Sequence, residues 1–234
     1  MNAVNPTKRV TFLVGSPRGL ASTSESLGTY VLLRLAEHGF ETEKTYATWA
    51  VTSDRNRADL LQLIDGTDLL ILAFPLYVDS LPCRLVAALE LIADHRKTTT
   101  ISKRQRLVDI VNSGFPEARQ NDIALGICRC FAEEAGFDWV GGLALGGGGM
   151  IAGRALCKVG GAARNVMRAL DLTAKAIAEG EPVPKEAVQL MARPMIPRWL
   201  YVWISNRRWN REMKKYGTSS KLYDQPYPVT PISA

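Results

Sequence analysis

Short apolar runs alternate with longer segments of helical periodicity along most of the chain. Five runs rich in β-branched and aromatic residues predict β-strands at Arg9–Val14, Glu41–Thr48, Asp68–Phe74, Arg106–Ser113 and Asp138–Leu145. Segments with apolar residues at helical spacing predict helices at Ser24–Glu37, Asp59–Ile64, Pro82–His95, Gln120–Ala135 and Arg154–Ala178. This alternation of strand and helix predicts an α/β fold.

The run from Leu69 to Phe74 is apolar at every position. A strand of this kind is buried on both faces, as in parallel sheets that helices cover on each side. Right-handed crossovers then give a doubly wound parallel sheet. We expect this α/β domain over residues 1–180 and a basic, tryptophan-rich extension over residues 181–234.

The composition fits a folded protein without a membrane span. The 234 residues are 47% hydrophobic and 22% charged, which is enough for a sizeable core. The amino-terminal apolar run is too short for a signal peptide, and the window Leu69–Val78 is interrupted by Pro75 and falls below the roughly 20 residues of a spanning helix. We expect a cytoplasmic protein.

The net charge of +6 is concentrated near the carboxyl terminus. Between Arg193 and Lys221 there are eight basic residues and one acidic residue, so the rest of the chain carries about −1. A nucleic-acid-binding protein usually carries its basic stripe on the folded domain, and we therefore expect no nucleic-acid partner. The four cysteines, Cys83, Cys128, Cys130 and Cys157, are too scattered for a disulfide framework or a metal site.

The loop after the first predicted strand is rich in hydroxyl side chains. Its sequence from Gly15 to Ser26, GSPRGLASTSES, leads into a helix at the carboxyl edge of the sheet, where open α/β sheets bind ligands. A helix amino terminus attracts anions, and the candidate phosphate ligands are Ser16, Arg18, Ser22, Thr23 and Ser24. A simple helix cap by Ser22 or Ser24 is the alternative. Neither G-x-x-x-x-G-K-[ST] nor G-x-G-x-x-G is present in this loop, which favours a phosphate monoester.

Two further strand-to-helix loops lie at the same predicted edge. Each combines an aromatic side chain with turn-forming residues and backbone amides, as stacking and edge recognition of a flat heterocycle require. The candidate residues are Pro75, Leu76, Tyr77 and Val78 in one loop, and Asn112, Ser113, Gly114 and Phe115 in the other. Ordinary turns with an inward-packed aromatic are the alternative. With the phosphate loop, the two predict a mononucleotide site.

The motifs GSPRGLASTSES, FPLYVDSLP and NSGFPEA, in this order, resemble the flavodoxin-like NAD(P)H-dependent FMN reductase family, which includes relatives of the iron–sulfur flavoproteins. The resemblance covers about Lys8 to Ala178. It implies a five-stranded sheet of order 2-1-3-4-5, FMN bound without a covalent link, and a homo-oligomer. By position, the first loop would hold the FMN phosphate and the other two would border the isoalloxazine. The compact cysteine cluster of the iron–sulfur relatives is missing, so we expect no such centre.

The activity implied by the resemblance is an FMN-dependent NAD(P)H oxidoreductase. Electrons would pass to a quinone, a flavin or a similar small acceptor by a ping-pong hydride mechanism, and the cofactor would supply the chemistry. We therefore predict no catalytic acid, base or nucleophile. A non-enzymatic FMN-binding electron-transfer protein is the alternative.

Two segments stand outside these loops. The glycine-rich stretch Gly141–Gly153 matches a relaxed dinucleotide fingerprint, but no predicted strand follows it, and we interpret it as a loop of close backbone approach near the flavin or a partner subunit. The stretch from Pro197 to Gly217 has the pattern of an amphipathic helix. Packing on protein is the expected role for it, and a wall of the flavin pocket or an anionic membrane surface are the alternatives.

Overall fold

The computed structural model describes residues 8–99, 103–221 and 223–224. The chain divides between Met195 and Ile196 into two units. The first unit is built on one sheet of five parallel strands, which are β1 (Arg9–Val14), β2 (Glu41–Tyr46), β3 (Leu69–Pro75), β4 (Arg106–Asn112) and β5 (Asp138–Leu145). The strand order is β2-β1-β3-β4-β5, which confirms the predicted sheet.

The five predicted helices are present between and after the strands. The helices of the first unit are α1 (Thr23–Glu37), α2 (Ala47–Ala50), α3 (Asp54–Gly66), α4 (Cys83–Thr98), α5 (Asp122–Glu134), α6 (Arg164–Ala178) and α7 (Lys185–Met191). The sequence pattern does not predict two of them, the short helices α2 and α7. Each face of the sheet carries its own buried apolar layer, one against α1, α6 and α7 and the other against α2 to α5. The fold is therefore a doubly wound α/β sandwich.

Strand β3 shows why an unbroken apolar run predicts a central strand. Leu69, Ile71 and Ala73 point into one apolar layer, whereas Leu70, Leu72 and Phe74 point into the other. Successive side chains of a strand alternate between faces, so a strand covered on both sides needs an apolar residue at every position. All six residues are buried, which confirms the prediction.

Helix α6 begins later than its apolar pattern suggests. The pattern starts at Arg154, but the helix starts at Arg164, after a segment of short 3₁₀ turns. Gly160, inside this segment, adopts a positive φ angle of 78°. A right-handed helix cannot pass through residues in that conformation, and so the predicted start is wrong.

Helix α7 extends the first unit beyond residue 180, which is the end of the α/β domain that the sequence predicts. Its residues Ala187, Leu190 and Met191 are buried in the apolar layer that also contains α1 and α6. This burial explains why the division of the chain falls after Met195.

The second unit contains α8 (Arg198–Lys215), which Pro197 precedes at the N-cap position. None of the residues of α8 is buried. Among the described residues, the structure has no helix that is both long and apolar enough to cross a membrane.

Candidate functional site

The three loops with predicted site residues leave the same edge of the sheet. They follow Val14 of β1, Pro75 of β3 and Asn112 of β4, and these strands are parallel neighbours in the order β1-β3-β4. The carboxyl ends of parallel strands meet at one edge, where ligands bind in doubly wound sheets. The fold thus brings together all thirteen candidate residues in three adjacent loops.

In the β1–α1 loop, Ser22 is the N-cap of α1. Its Oγ accepts a hydrogen bond from the Glu25 N–H at 3.1 Å and donates one to the Gly19 carbonyl at 2.7 Å. The capping interpretation therefore holds for Ser22, because its hydroxyl already satisfies one of the free N–H groups of the helix. Thr23 Oγ1 is also committed, since it donates to the Gly148 carbonyl at 2.7 Å.

Other donors of this loop are free. The backbone N–H groups of Thr23 and Ser24, in the first turn of α1, have no acceptor within the described parts of the chain. The Arg18 side chain is exposed, and residues 8–99, 103–221 and 223–224 offer it no hydrogen bond or ion pair. Two free N–H groups at a helix amino terminus and one free guanidinium are the donor set that binds an anion. Ser16 is buried beside them, and its Oγ accepts from the Arg18 N–H at 3.3 Å.

Asn112, at the end of β4, is buried and joins two of the loops. Its side-chain amide donates to Ser24 Oγ at 2.8 Å and to the Phe74 carbonyl at 3.0 Å. The backbone carbonyl of Asn112 accepts a hydrogen bond from the Leu76 N–H at 2.8 Å. The structure therefore assigns Asn112 a positioning role between the loops, whereas the sequence alone suggested direct contact with a ligand.

The β3–α4 loop ends in a tight two-residue turn. Tyr77 and Ser80 exchange backbone hydrogen bonds of 2.9 and 3.0 Å across Val78 and Asp79, whose φ angles are 49° and 57°. Turns with two positive φ angles favour Asn-Gly, and a β-branched residue there is strained. Val78 is nevertheless 98% exposed at the tip, and Tyr77 beside it is 45% exposed. Strain of this kind is concentrated at ligand-contacting loops.

The β4–α5 loop presents a second exposed aromatic side chain. Phe115 is 53% exposed, and Gly114 before it is exposed as well. Ser113 is buried, and its backbone bridges two neighbours: its N–H donates to the Leu145 carbonyl at 3.0 Å, and its carbonyl accepts from the Gly148 N–H at 2.8 Å. The inward-packed alternative is therefore wrong for the rings of Tyr77 and Phe115.

The loop after β5 completes the edge, and none of the thirteen site residues predicted from the sequence lies in it. A Cβ atom on Gly146 would lie 2.3 Å from the Pro116 carbonyl oxygen, and one on Gly148 would lie 2.9 Å from Asn112 Oδ1. A Cβ on Gly153 would lie 2.7 Å from the Ala21 backbone. The glycines therefore lie in close contact with backbone of the same chain, and the approach to the flavin or to a partner subunit stays a prediction. The run of four glycines from Gly146 was the sequence signal that could have identified this loop.

Asp109 lies three residues before the end of β4, in the apolar layer against α5. Its Oδ2 accepts a hydrogen bond from Trp139 Nε1 at 2.6 Å, and its Oδ1 has no partner among the described residues. Burial is the main cause that raises the pKa of Asp109 to about 7, and the hydrogen bonds of Trp139 and Cys128 oppose it. No set of three or more His, Cys, Asp or Glu side chains within the described ranges could hold a metal ion.

Similarity to solved structures agrees with this architecture. An FMN-dependent NADH-azoreductase from Bacillus anthracis, in complex with FMN, superposes with a TM-score of 0.57 at 13% identity, over 74% of this chain and 100% of its own. A putative quinone reductase from Klebsiella pneumoniae gives 0.55 at 15% identity, over 76% and 88% of the two chains. A flavone reductase gives 0.55 at 12% identity, over 79% and 70%. At these identities the likeness establishes the flavodoxin-like fold. No family model and no curated sequence matches the chain.

Proposed function

We propose that this chain is an FMN-dependent NAD(P)H oxidoreductase that passes electrons to a quinone, a flavin or a similar small acceptor. The observation that carries the proposal is the free donor set of the β1–α1 loop at the sheet edge that also presents two exposed aromatic rings. The solved structures of the same fold include an azoreductase in complex with FMN and two other reductases, which supports this assignment.

The donor set fits the phosphate of FMN. The N–H groups of Thr23 and Ser24 point along the axis of α1 from its positive end, and the Arg18 guanidinium adds a full charge. Since Ser22 and Thr23 already donate their hydroxyl protons within the protein, we expect their backbones and the side chains of Arg18, Ser16 and Ser24 to contact the phosphate. A compact set of this kind fits a phosphate monoester, which favours FMN over FAD.

The two aromatic loops fit the ring system of the flavin. Tyr77 and Phe115 are exposed rings on neighbouring loops, and a flat heterocycle can stack on either of them. In the tight turn, the N–H groups of Val78 and Asp79 have no acceptor in the described part of the chain, so they can bind the polar edge of the ring. Pro75 and Leu76 would border the ring from β3, and Ser113 and Gly114 from β4.

Bound FMN supplies the chemistry, which is to accept hydride from NAD(P)H and to release electrons to the second substrate. The chain itself binds the cofactor, orients it and holds the four loops in register through Asn112, Thr23 and Gly148. Donor and acceptor would use the exposed face of the ring in turn, which gives ping-pong kinetics. A homo-oligomer in the cytoplasm is part of this proposal, and sedimentation analysis tests the oligomer.

The experiment is to load the purified chain with FMN and to mix it anaerobically with NADH or NADPH in a stopped-flow spectrometer. Rapid bleaching of the visible flavin bands by either nicotinamide, followed by reoxidation on addition of a quinone, is the expected result. A chain that binds FMN but is reduced only by another protein would be the non-enzymatic electron carrier. A chain that binds neither FMN nor FAD would contradict the proposal.

A further inference from the structure

Helix α8 carries a surface that the proposed flavin chemistry does not use. It is an 18-residue helix, about 27 Å long at 1.5 Å per residue, and none of its residues is buried. Three of the five tryptophans of the chain belong to it, and Trp199, Trp203 and Trp209 are 71%, 55% and 70% exposed. Exposed tryptophans in this number indicate a surface made for a partner.

Most of the apolar side chains of α8 and most of its basic side chains occupy different sides of the helix. At about 100° per residue, five apolar residues fall within an arc of roughly 120°, and four of them are exposed while Met213 is half-buried. These residues are Trp199, Val202, Trp203, Trp209 and Met213. The basic ones fall within the adjacent arc of similar width. They are Arg207, Arg208, Arg211, Lys214 and Lys215. Leu200 and Ile204 also lie on the second arc, in the first two turns of the helix, and Arg198 lies outside both arcs.

The positive charge of α8 indicates a negatively charged partner. The helix has six basic residues and one acidic residue, Glu212, and Arg207 lies over the ring of Trp203 at 5.5 Å, where the two arcs meet. A flat, negatively charged surface with an apolar layer beneath it matches both arcs at once, because the rings can enter the interfacial region while the cations contact phosphates. A nucleic acid would use only the basic arc, and a protein groove would need an acidic rim beside an apolar floor to use both arcs.

We propose that α8 binds the surface of an anionic phospholipid bilayer and lies in the plane of the membrane. The tryptophan arc inserts at the level of the headgroups, and the basic arc contacts the lipid phosphates. The helix does not cross the bilayer, in line with the absence of any spanning helix among the described residues. This docking does not depend on the identity of the cofactor or of the electron acceptor.

The test is co-sedimentation of the full chain with vesicles of equimolar phosphatidylcholine and phosphatidylglycerol, and with vesicles of phosphatidylcholine alone. The expected result is binding to the anionic vesicles only, with loss of binding as salt is raised and a blue shift of the tryptophan emission. A chain that stays in the supernatant with anionic vesicles at low salt would overturn the proposal. So would a chain that binds an RNA oligonucleotide, or that dimerises through α8, and does not bind vesicles.

Two variants and a matched control assign the binding to α8. Changing Arg207, Arg208 and Arg211 together to Gln should weaken binding to the anionic vesicles about 100-fold, at about fivefold for each basic residue. The control changes the exposed residues Arg55, Arg164 and Lys185 of the first unit to Gln, which removes the same net charge. Equal losses in the variant and the control would show a net-charge effect and overturn the proposal.

The second variant changes Trp199, Trp203 and Trp209 together to Ala, which keeps the basic residues and the helix propensity. We expect binding about tenfold weaker than that of the unchanged chain, and no blue shift on addition of anionic vesicles. Unchanged affinity would contradict insertion of the tryptophan arc. Far-ultraviolet circular dichroism shows that the compared chains are equally folded.

Discussion

The side-chain amide of Asn112 lies 2.8 Å from Ser24 Oγ, and this hydrogen bond joins the end of β4 to the first turn of α1. The same amide donates to the Phe74 carbonyl at 3.0 Å, on β3. One buried side chain at the end of β4 therefore connects the end of β3 to the start of α1. A small change at Asn112 should affect both the stability of the fold and the affinity of the site.

We predict that Asn112→Ala lowers the free energy of unfolding by about 1–3 kcal/mol, because it leaves the Phe74 carbonyl buried without its donor. FMN affinity should fall as well, since the first turn of α1 loses its contact with β4. Asn56→Ala is the matched control: the Asn56 amide also makes two hydrogen bonds, to the Trp49 carbonyl and to Thr52 Oγ1, but both are exposed. Urea unfolding measures both variants. Equal losses would show that Asn112 has no special positioning role.

The sheet and its central strand could be predicted from the sequence because burial on both faces leaves a direct pattern. Leu69 to Phe74 is apolar at every position since each residue enters one of two apolar layers. Helix α7 could not be placed in the same way. It is seven residues long, and the burial of Ala187, Leu190 and Met191 depends on contact with α6, which no local pattern specifies.

A second prediction concerns Arg18, whose exposed guanidinium is free among the described residues. Arg18→Ala should lower FMN affinity by about 10–100-fold, which is the effect of losing one charge-assisted hydrogen bond of about 1.5–3 kcal/mol. Arg104→Ala is the control, because Arg104 is exposed next to the amino end of β4, at the opposite edge of the sheet. Fluorescence titration of FMN measures both. Unchanged affinity in Arg18→Ala would remove this residue from the site.

A third prediction concerns the strained turn at Val78 and Asp79. Changing the pair to Asn-Gly should raise the free energy of unfolding by about 1–2 kcal/mol, because both new residues adopt positive φ angles more readily. The same change removes the exposed isopropyl group at the tip, and we expect FMN affinity or turnover to fall. Thermal unfolding and FMN titration on the same samples separate the two effects. A variant that is less stable than the unchanged chain would show that the turn at Val78 and Asp79 is not strained.

Asp109 gives a prediction for the pH dependence of stability. Its pKa of about 7 in the folded chain exceeds the ordinary value of 3.8. At a pH between these two values, the folded chain keeps a proton on Asp109 that the unfolded chain has released. Stability therefore falls as pH rises from about 4 to about 7, and the loss is complete above pH 7. When the pH is raised from about 5 to about 8, ionisation of Asp109 should lower the free energy of unfolding by on the order of 3 kcal/mol.

Asp109→Asn removes this titration and keeps an oxygen that can accept from Trp139 Nε1. We expect the variant to gain stability relative to the unchanged chain as pH rises, when urea unfolding is compared at the two pH values. All other titrating groups are shared, and their contributions cancel in the difference. A difference that does not change with pH would show that Asp109 titrates at its ordinary value.

The candidate site was predictable in its position but only partly in its roles. Hydroxyl-rich and aromatic loops after parallel strands indicate a binding edge, and the structure brings those loops together. The sequence could not show that Ser22 and Thr23 donate their protons within the protein, because the acceptor of Thr23 lies 125 positions away at Gly148. Long-range hydrogen bonds of this kind depend on the folded chain path and leave no local pattern.

The loop after β5 gives the last prediction, which compares two glycines. A Cβ on Gly148 would lie 2.9 Å from Asn112 Oδ1 and 3.2 Å from the Ser113 carbonyl oxygen, whereas a Cβ on Gly161 would meet no heavy atom within 4 Å. Gly148→Ala should therefore push the loop away from β4 and lower stability by about 1–3 kcal/mol. FMN affinity should fall with it, because the Gly148 carbonyl holds Thr23 at the start of α1.

Gly161→Ala should leave affinity unchanged and raise stability slightly, by about 0.4–1 kcal/mol, through the loss of freedom in the unfolded chain. Urea unfolding and FMN titration measure both variants. Equal behaviour of the two would mean that the close approach of Gly148 does not shape the site.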